Sequence, residues 1–145
     1  MQVDVLSETV IHRPVDGVAA FAADPTNAPD WYEHIDSVEW ETEPVVRVGA
    51  RAAYRAHFLG KRLAYTYEIV EYEPGRRLRM QTTESPFPME TAYSWEAVAG
   101  GTRMTLRIQA DPTGFSKLVA PFIVGNARRA TTDDLEKLRA ILEAR

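Results

Sequence analysis

The feature that most constrains this chain is an alternation of bulky apolar and polar residues through five consecutive segments between residues 54 and 108. Side chains alternate across a β-strand, and a slip of one residue would move a whole set to the other face. Short turns at Gly60, Pro74–Gly75, Ser85–Pro86 and Gly100–Gly101 keep the apolar residues on one face. The pattern predicts five antiparallel strands that form a sheet with one polar face and one aromatic face.

The flanking segments predict further strands and three helices. Residues 3–11 and 36–42 are typical of strands, residues 15–22 carry an apolar stripe at helical spacing, and a short helix is expected near residues 28–34. A long helical pattern follows Asp111–Pro112–Thr113–Gly114, with Phe115, Leu118 and Val119 early in its stripe. Pro121 predicts a kink because proline removes a backbone donor and clashes one turn back.

The fold class follows from the need to cover the apolar face. A sheet with one apolar face must be buried against another element, and the C-terminal helix is the only one large enough. We therefore expect one α+β domain over residues 1–145, a curved antiparallel sheet wrapped around the long C-terminal helix. The two short N-terminal helices should close one end of it, with Trp31 packed against them or against the sheet end.

The inward residues favour a ligand cavity over a solid core. Buried Tyr and Trp need partners for their polar groups, whereas a dry core would more naturally use Leu, Ile and Val. Phenol and indole groups that face a cavity can orient an apolar ligand. A plain core remains the alternative for any single position. The candidate ligand-binding residues are Trp40, Tyr54, Phe58, Tyr65, Tyr67, Met80, Met89, Tyr93, Trp95, Met104, Leu106, Phe122 and Asn126.

Composition excludes several function classes. The net charge of −4 gives no basic face for nucleic acid, and no apolar run is long enough to cross a bilayer. The N-terminus lacks the pattern of a signal peptide, so we expect a cytoplasmic protein. The chain has no Cys, which excludes disulfides and thiolate chemistry. A homodimer is compatible with the sequence.

Candidate catalytic groups are scarce. His12, His34 and His57 have no metal-ligand spacing, and among them His34 is the best candidate because its loop should lie near a cavity mouth. Glu71 is the one strand acid whose parity points inward. No nucleophile motif or phosphate-binding loop is present. We therefore assign no catalytic residue, no metal and no cofactor.

Three stretches resemble a known family: IHRPVDGVAAFAADPTNAPDWYEHIDSVEW, YEIVEYEPGRRLRM and YSWEAVAGGTRMTL. They are similar to the START/Bet v 1-like (SRPBCC) superfamily, in its polyketide cyclase/dehydrase-like branch. The resemblance implies the helix-grip fold and a deep apolar cavity for a hydrophobic ligand. Its members include lipid carriers, hormone receptors and aromatase/cyclases, so the fold does not fix the function.

Three functions stay open on the sequence. The first is binding of a hydrophobic small molecule or lipid in the internal cavity, without clear catalytic machinery. The alternative is a polyketide cyclase or dehydratase-like enzyme that acts on an aromatic or polyketide substrate in the same cavity. A third is an interaction module that presents its outer sheet to a protein partner. A buried titratable group at the cavity would discriminate between the first two.

Overall fold

The computed structural model describes residues 2–58, 60–112 and 120–145. The chain begins with strand β1 (Val3–Ile11), helix α1 (Val15–Ala23), a 3-10 turn (Pro25–Asn27) and helix α2 (Ala28–Trp31). Six strands follow: β2 (Ile35–Trp40), β3 (Arg51–Phe58), β4 (Lys61–Glu73), β5 (Arg77–Glu84), β6 (Met89–Val98) and β7 (Gly101–Ala110). Helix α3 (Ala120–Glu143) comes last. This is the element order that the sequence predicts.

The strands form one seven-stranded antiparallel sheet in the order β1-β7-β6-β5-β4-β3-β2. Hairpin turns connect β4 to β5 and β6 to β7, where Gly75 and Gly100 have positive φ angles of 75° and 78°. Only glycine adopts that conformation without strain. The sheet curls into a half-barrel around α3, which confirms the predicted helix-grip fold.

The residues predicted to face inward do so in β3, β5, β6 and β7. In β4, the inward-facing residues change from odd to even positions after Ile69. Ile69 pairs with Met80 and Glu71 pairs with Arg79, so Val70 is an extra residue in a β-bulge. Glu71 therefore points outward, where its carboxylate forms ion pairs with Arg77 (3.4 Å) and Arg79 (3.3 Å). The predicted inward orientation of Glu71 is wrong, because the prediction applies one parity to the whole strand and the bulge changes that parity after Ile69.

The solid part of the core lies under the C-terminal half of α3. Leu135, Leu138 and Leu142 are buried there, and the wholly buried Trp31 belongs to the same cluster. The Trp31 ring lies 4.0 Å from that of Tyr32 and 5.9 Å from that of Tyr93, measured between centroids. The predicted packing of Trp31 against the short helices and the sheet is confirmed.

Hydrogen bonds fix α3 to the edge strand β1. The hydroxyls of Ser7 and Thr131 are 2.8 Å apart, and the hydroxyl of Thr9 donates to Glu136 Oε1 over 3.1 Å. At the end of β1, the backbone N–H of His12 donates to Glu143 Oε2 over 2.9 Å. These contacts hold the helix across the open side of the sheet.

Two element boundaries differ from the prediction. Helix α2 ends at Trp31, because Tyr32 already adopts an extended backbone with φ −86° and ψ 126°, and β2 ends at Trp40.

The kink predicted around Pro121 involves residues 113–119, which lie outside the described residues, as do Phe115, Leu118 and Val119. No helix in the described part of the chain combines the length and apolar composition needed to span a bilayer.

Candidate functional site

A cavity of about 180 Å³ lies between the sheet and the N-terminal half of α3. The helix lines it with a stripe of mostly small or polar residues, Ile123, Ala127, Ala130, Thr131 and Asp134. In the C-terminal half of the helix, the same face carries leucines that fill the space against the sheet. The change from small side chains to leucines explains why only one half of the sheet–helix interface is hollow.

The structure brings together eight of the thirteen candidate residues around this cavity. They are Tyr54, Phe58, Tyr65, Tyr67, Met80, Met89, Tyr93 and Asn126. The strand residues among them are brought together by the predicted register.

The other five candidates lie elsewhere. Trp95, Met104 and Leu106 share the inward face but belong to the solid part of the core, with at most 5% of their surface exposed. Trp40, on the edge strand β2, is half-buried and packs against the outside of the core cluster. Phe122 is 54% exposed. Parity fixes the face of a strand residue, but it does not tell which stretch of the strand the helix contacts.

A cluster of three tyrosine rings forms the aromatic wall of the cavity. Tyr54 stacks on Tyr65 at a centroid distance of 5.3 Å, and Tyr67 meets both rings edge-on at 5.3 and 5.5 Å. Stacked and edge-to-face arrangements are the favourable ones for aromatic pairs. The cluster therefore holds its shape and offers a rigid apolar surface.

Hydroxyl pairs add polar groups to this apolar surface. The hydroxyls of Tyr32 and Tyr93 are 2.5 Å apart, and those of Tyr67 and Thr91 are 2.7 Å apart. Burial raises the pKa of Tyr67 and Tyr93 well above the usual range for phenols, so both stay protonated near neutral pH. Each pair retains one hydroxyl hydrogen that is not used within the pair and can be donated to a ligand.

The rim of the cavity is built around two histidines. The imidazole of His34 lies 5.5 Å from that of His57 and 5.2 Å from the ring of Phe58. His57 Nδ1 is 2.7 Å from Asp36 Oδ1, whereas His34 Nδ1 is buried and has no hydrogen-bond partner among the described residues. A neighbouring surface depression shares His34, Phe58 and Asn126 with the cavity, which locates its mouth. His34 thus lies near the mouth.

Asp134 is the one carboxyl group among the described residues that line the cavity. Its side chain is only 6% exposed, and Oδ1 accepts the backbone N–H of Glu33 over 3.1 Å. Desolvation raises the pKa of this carboxyl to about 7, although the Glu33 hydrogen bond acts in the opposite direction. A carboxyl group with such a pKa can lose or gain a proton near neutral pH.

Strand parity does not identify Asp134, because this residue lies on the C-terminal helix. The signal was present in the helix, since Asp134 follows Thr131 by three residues and precedes Leu138 by four. Those spacings place it on the inward stripe. Helical spacing thus marks Asp134 as a candidate acid in a site to which the sequence prediction assigned no catalytic residue.

The charges of the site are few and mostly acidic. No Lys or Arg belongs to the described lining of the cavity. Around the mouth lie Glu33, Asp133 and Arg129, with Arg129 Nε 3.9 Å from Asp133 Oδ2, and Asp36 lies beside the rim residue His57. Within the described residues, no group of three or more His, Asp or Glu side chains is placed to hold a metal ion.

Comparison with known proteins agrees with this architecture. Residues 2–143 match a family model described as polyketide cyclase / dehydrase and lipid transport. The chain belongs to this family. The resemblance to the polyketide cyclase-like branch of the START/Bet v 1-like superfamily is thereby confirmed. A search of curated proteins found no match.

Solved structures of the same fold come from bacteria and plants. The ZhuI aromatase/cyclase from Streptomyces sp. R1128 is 18% identical with a TM-score of 0.78, over 99% of this chain and 94% of that one. A protein from Thermus thermophilus, TTHA0849, is 20% identical with a TM-score of 0.77, over 94% of both chains. Major latex-like protein 151 from Panax ginseng is 13% identical with a TM-score of 0.69, over 99% of this chain and 96% of that one. At these identities the likeness establishes the fold alone.

Proposed function

We propose that this protein binds a small hydrophobic molecule in the cavity between the sheet and α3. The observation that carries the proposal is the lining, in which rigid tyrosine rings and two methionines surround a hollow space and only a few polar groups converge. Sites for small molecules have this character, a mostly apolar wall with a few placed hydrogen-bonding groups. The family description, which includes lipid transport, supports it.

The size of the cavity favours a molecule of one or two rings. Cavities that enclose drug-sized ligands measure about 300–1,000 Å³, whereas benzene occupies an engineered apolar cavity of about 150 Å³. The cavity here, at about 180 Å³, is close to the smaller case. A longer lipid would have to extend through the mouth beside His34 or widen the cavity. Naphthylethanol, a neutral two-ring alcohol, is therefore a suitable probe.

The test is to fill the cavity and measure binding of naphthylethanol by titration calorimetry. Ala127 lines the cavity and Ala140 is exposed on the same helix, so Ala127→Leu and Ala140→Leu make the same chemical change at two sites. We expect Ala127→Leu to weaken binding at least tenfold, because the added side chain occupies ligand space. Ala140→Leu should bind like the wild type. Equal affinity in both variants would contradict binding in this cavity.

A second candidate function is an enzyme of the cyclase or dehydratase type. The family description names this activity, and Asp134 is the observation that favours it. A general acid–base group works best when its pKa is near the operating pH, as that of Asp134 is. The hydroxyl of Tyr32 or Tyr93 could donate a hydrogen bond to a substrate carbonyl.

A short poly-β-ketothioester offered as substrate tests the second candidate. If Asp134 transfers a proton, Asp134→Asn should lower turnover by about 10²- to 10⁴-fold while the affinity for naphthylethanol is kept. Glu71→Gln is the matched control, since Glu71 lies on the outer face. No turnover by the wild type, or equal turnover in both variants, would leave ligand binding as the function.

A further inference from the structure

The carboxyl group of Asp134 has no charged partner among the described residues. No ion pair joins it to a described Lys or Arg, although ion pairs are frequent elsewhere on the same helix. Its described hydrogen bonding consists of the single N–H of Glu33 at Oδ1. A buried carboxylate with so few partners is costly, and the cost is relieved if a cation comes close to it.

The charged groups around Asp134 disfavour binding of an anionic ligand. The titratable groups that face it are Tyr32, Glu33 and His34 from the α2–β2 segment, Tyr93 from β6, and Asp133 and Lys137 from α3. Glu33 and Asp133 raise the pKa of Asp134 and Lys137 lowers it slightly, so the local field is negative overall. An anionic ligand would meet repulsion here, whereas a cation would be attracted.

The aromatic residues of the cavity also suit a cation. The electron-rich faces of phenol rings attract an ammonium group, most strongly where water is excluded. Tyr32 and Tyr93 line the same cavity as Asp134. An ammonium group held by the carboxylate would therefore have aromatic neighbours, and the apolar part of the ligand would extend along the wall of Tyr54, Tyr65 and Tyr67.

From these observations we infer that the preferred ligand is a hydrophobic amine whose ammonium group pairs with Asp134. The inference rests on the proposed ligand-binding function and narrows it to one chemical class. Carboxylic acids of the same shape should be excluded, and neutral alcohols should bind through the apolar wall alone. Binding of the cation favours the ionised form of Asp134, so the two events are linked and binding becomes dependent on pH.

Three probes that share one ring system test the inference: naphthylethylamine, naphthylethanol and naphthylacetic acid. The amine keeps its positive charge to about pH 9, as alkylammonium groups do. With Asp134 titrating at about 7, its ionised fraction rises about tenfold between about pH 6 and pH 8. We expect calorimetry to show amine binding tightening about tenfold over this range, alcohol binding nearly constant, and acid binding weakest throughout.

Two variants assign the effect to Asp134. In Asp134→Asn the pH dependence and the advantage of the amine over the alcohol should both disappear, while alcohol binding is kept. Glu71→Gln, which removes a carboxylate on the outer face of the sheet, should retain both.

The outcomes separate the two proposals. Binding of the alcohol with equal or weaker binding of the amine at about pH 8 overturns the assignment to Asp134 and leaves the binding function standing. Persistence of the pH dependence in Asp134→Asn also overturns it. If none of the three probes binds, the proposed cavity function fails and the inference fails with it.

Discussion

Replacing Asp134 by Asn should stabilise the protein, and increasingly so as the pH rises. The carboxyl ionises at about 3.8 in an unfolded chain and at about 7 in the folded protein, so the folded state holds the proton more tightly. The unfolded state then binds fewer protons between these values, and the free energy of unfolding falls as the pH increases. A difference of about three pKa units corresponds to about 4 kcal/mol, of which roughly 2–3 kcal/mol develops between about pH 5 and pH 8.

Asparagine does not titrate, and its amide oxygen can still accept the N–H of Glu33. Urea melts of the wild type and of Asp134→Asn, repeated from about pH 5 to pH 8, should therefore diverge by about 2–3 kcal/mol in favour of the variant. Glu71→Gln is the control and should stay parallel to the wild type over this range, because Glu71 lies on the outer face and does not line the cavity. Parallel curves for Asp134→Asn as well would refute a raised pKa for this carboxyl group.

Further stability measurements test the packing. Trp31→Ala should lower the free energy of unfolding by about 3–5 kcal/mol in urea melts, because the ring is wholly buried, and the half-buried Trp40→Ala should cost less. A loss below about 1 kcal/mol for Trp31 would contradict its burial. Gly101→Ala should lower the thermal midpoint strongly, since the added Cβ would overlap the backbone oxygen of Ile11 in β1. Gly125 lies in the helix with open space around it, so Gly125→Ala should raise the free energy of unfolding by about 0.5–1 kcal/mol. If both substitutions changed stability in the same direction, the close approach of Gly101 to β1 would be refuted. Tyr67→Phe should lower the free energy of unfolding by about 1–3 kcal/mol, because the buried hydroxyl of Thr91 loses its hydrogen-bond partner. An unchanged free energy of unfolding in the same melts would show that water replaces the lost hydroxyl.

The sequence predicts the fold well because strand alternation and turn chemistry are local signals. Apolar residues at every second position, with glycines where the chain reverses, determine which residues face inward. The bulge at Val70 shows in the sequence as a change of the polar positions from even (Thr66, Glu68) to odd (Glu71, Glu73), but a single parity applied to the whole strand misses it. Glu71 and Tyr72 exchange faces as a result, and the expected inward acid becomes part of an outer ion-pair cluster.

The candidate site could be predicted only in part, because a cavity depends on where the helix fails to fill the space. Tyr54, Tyr65 and Tyr67 are found at the cavity since their strands pass beneath the small residues of α3. Met104 and Leu106 occupy the same face beneath the leucines and are therefore packed solid. The distinction depends on three-dimensional alignment between helix and sheet, which periodicity does not contain.

Methyl NMR of the methionines tests the cavity as a binding site most directly. Met80 and Met89 line the cavity, whereas Met104 is fully buried in the solid core and serves as an internal control. With ¹³C-labelled methionine methyl groups, assigned by Met→Leu variants, titration with naphthylethanol should shift the Met80 and Met89 signals progressively and leave Met104 in place. Unchanged Met80 and Met89 signals at saturating probe, or equal shifts at Met104, would contradict binding in this cavity.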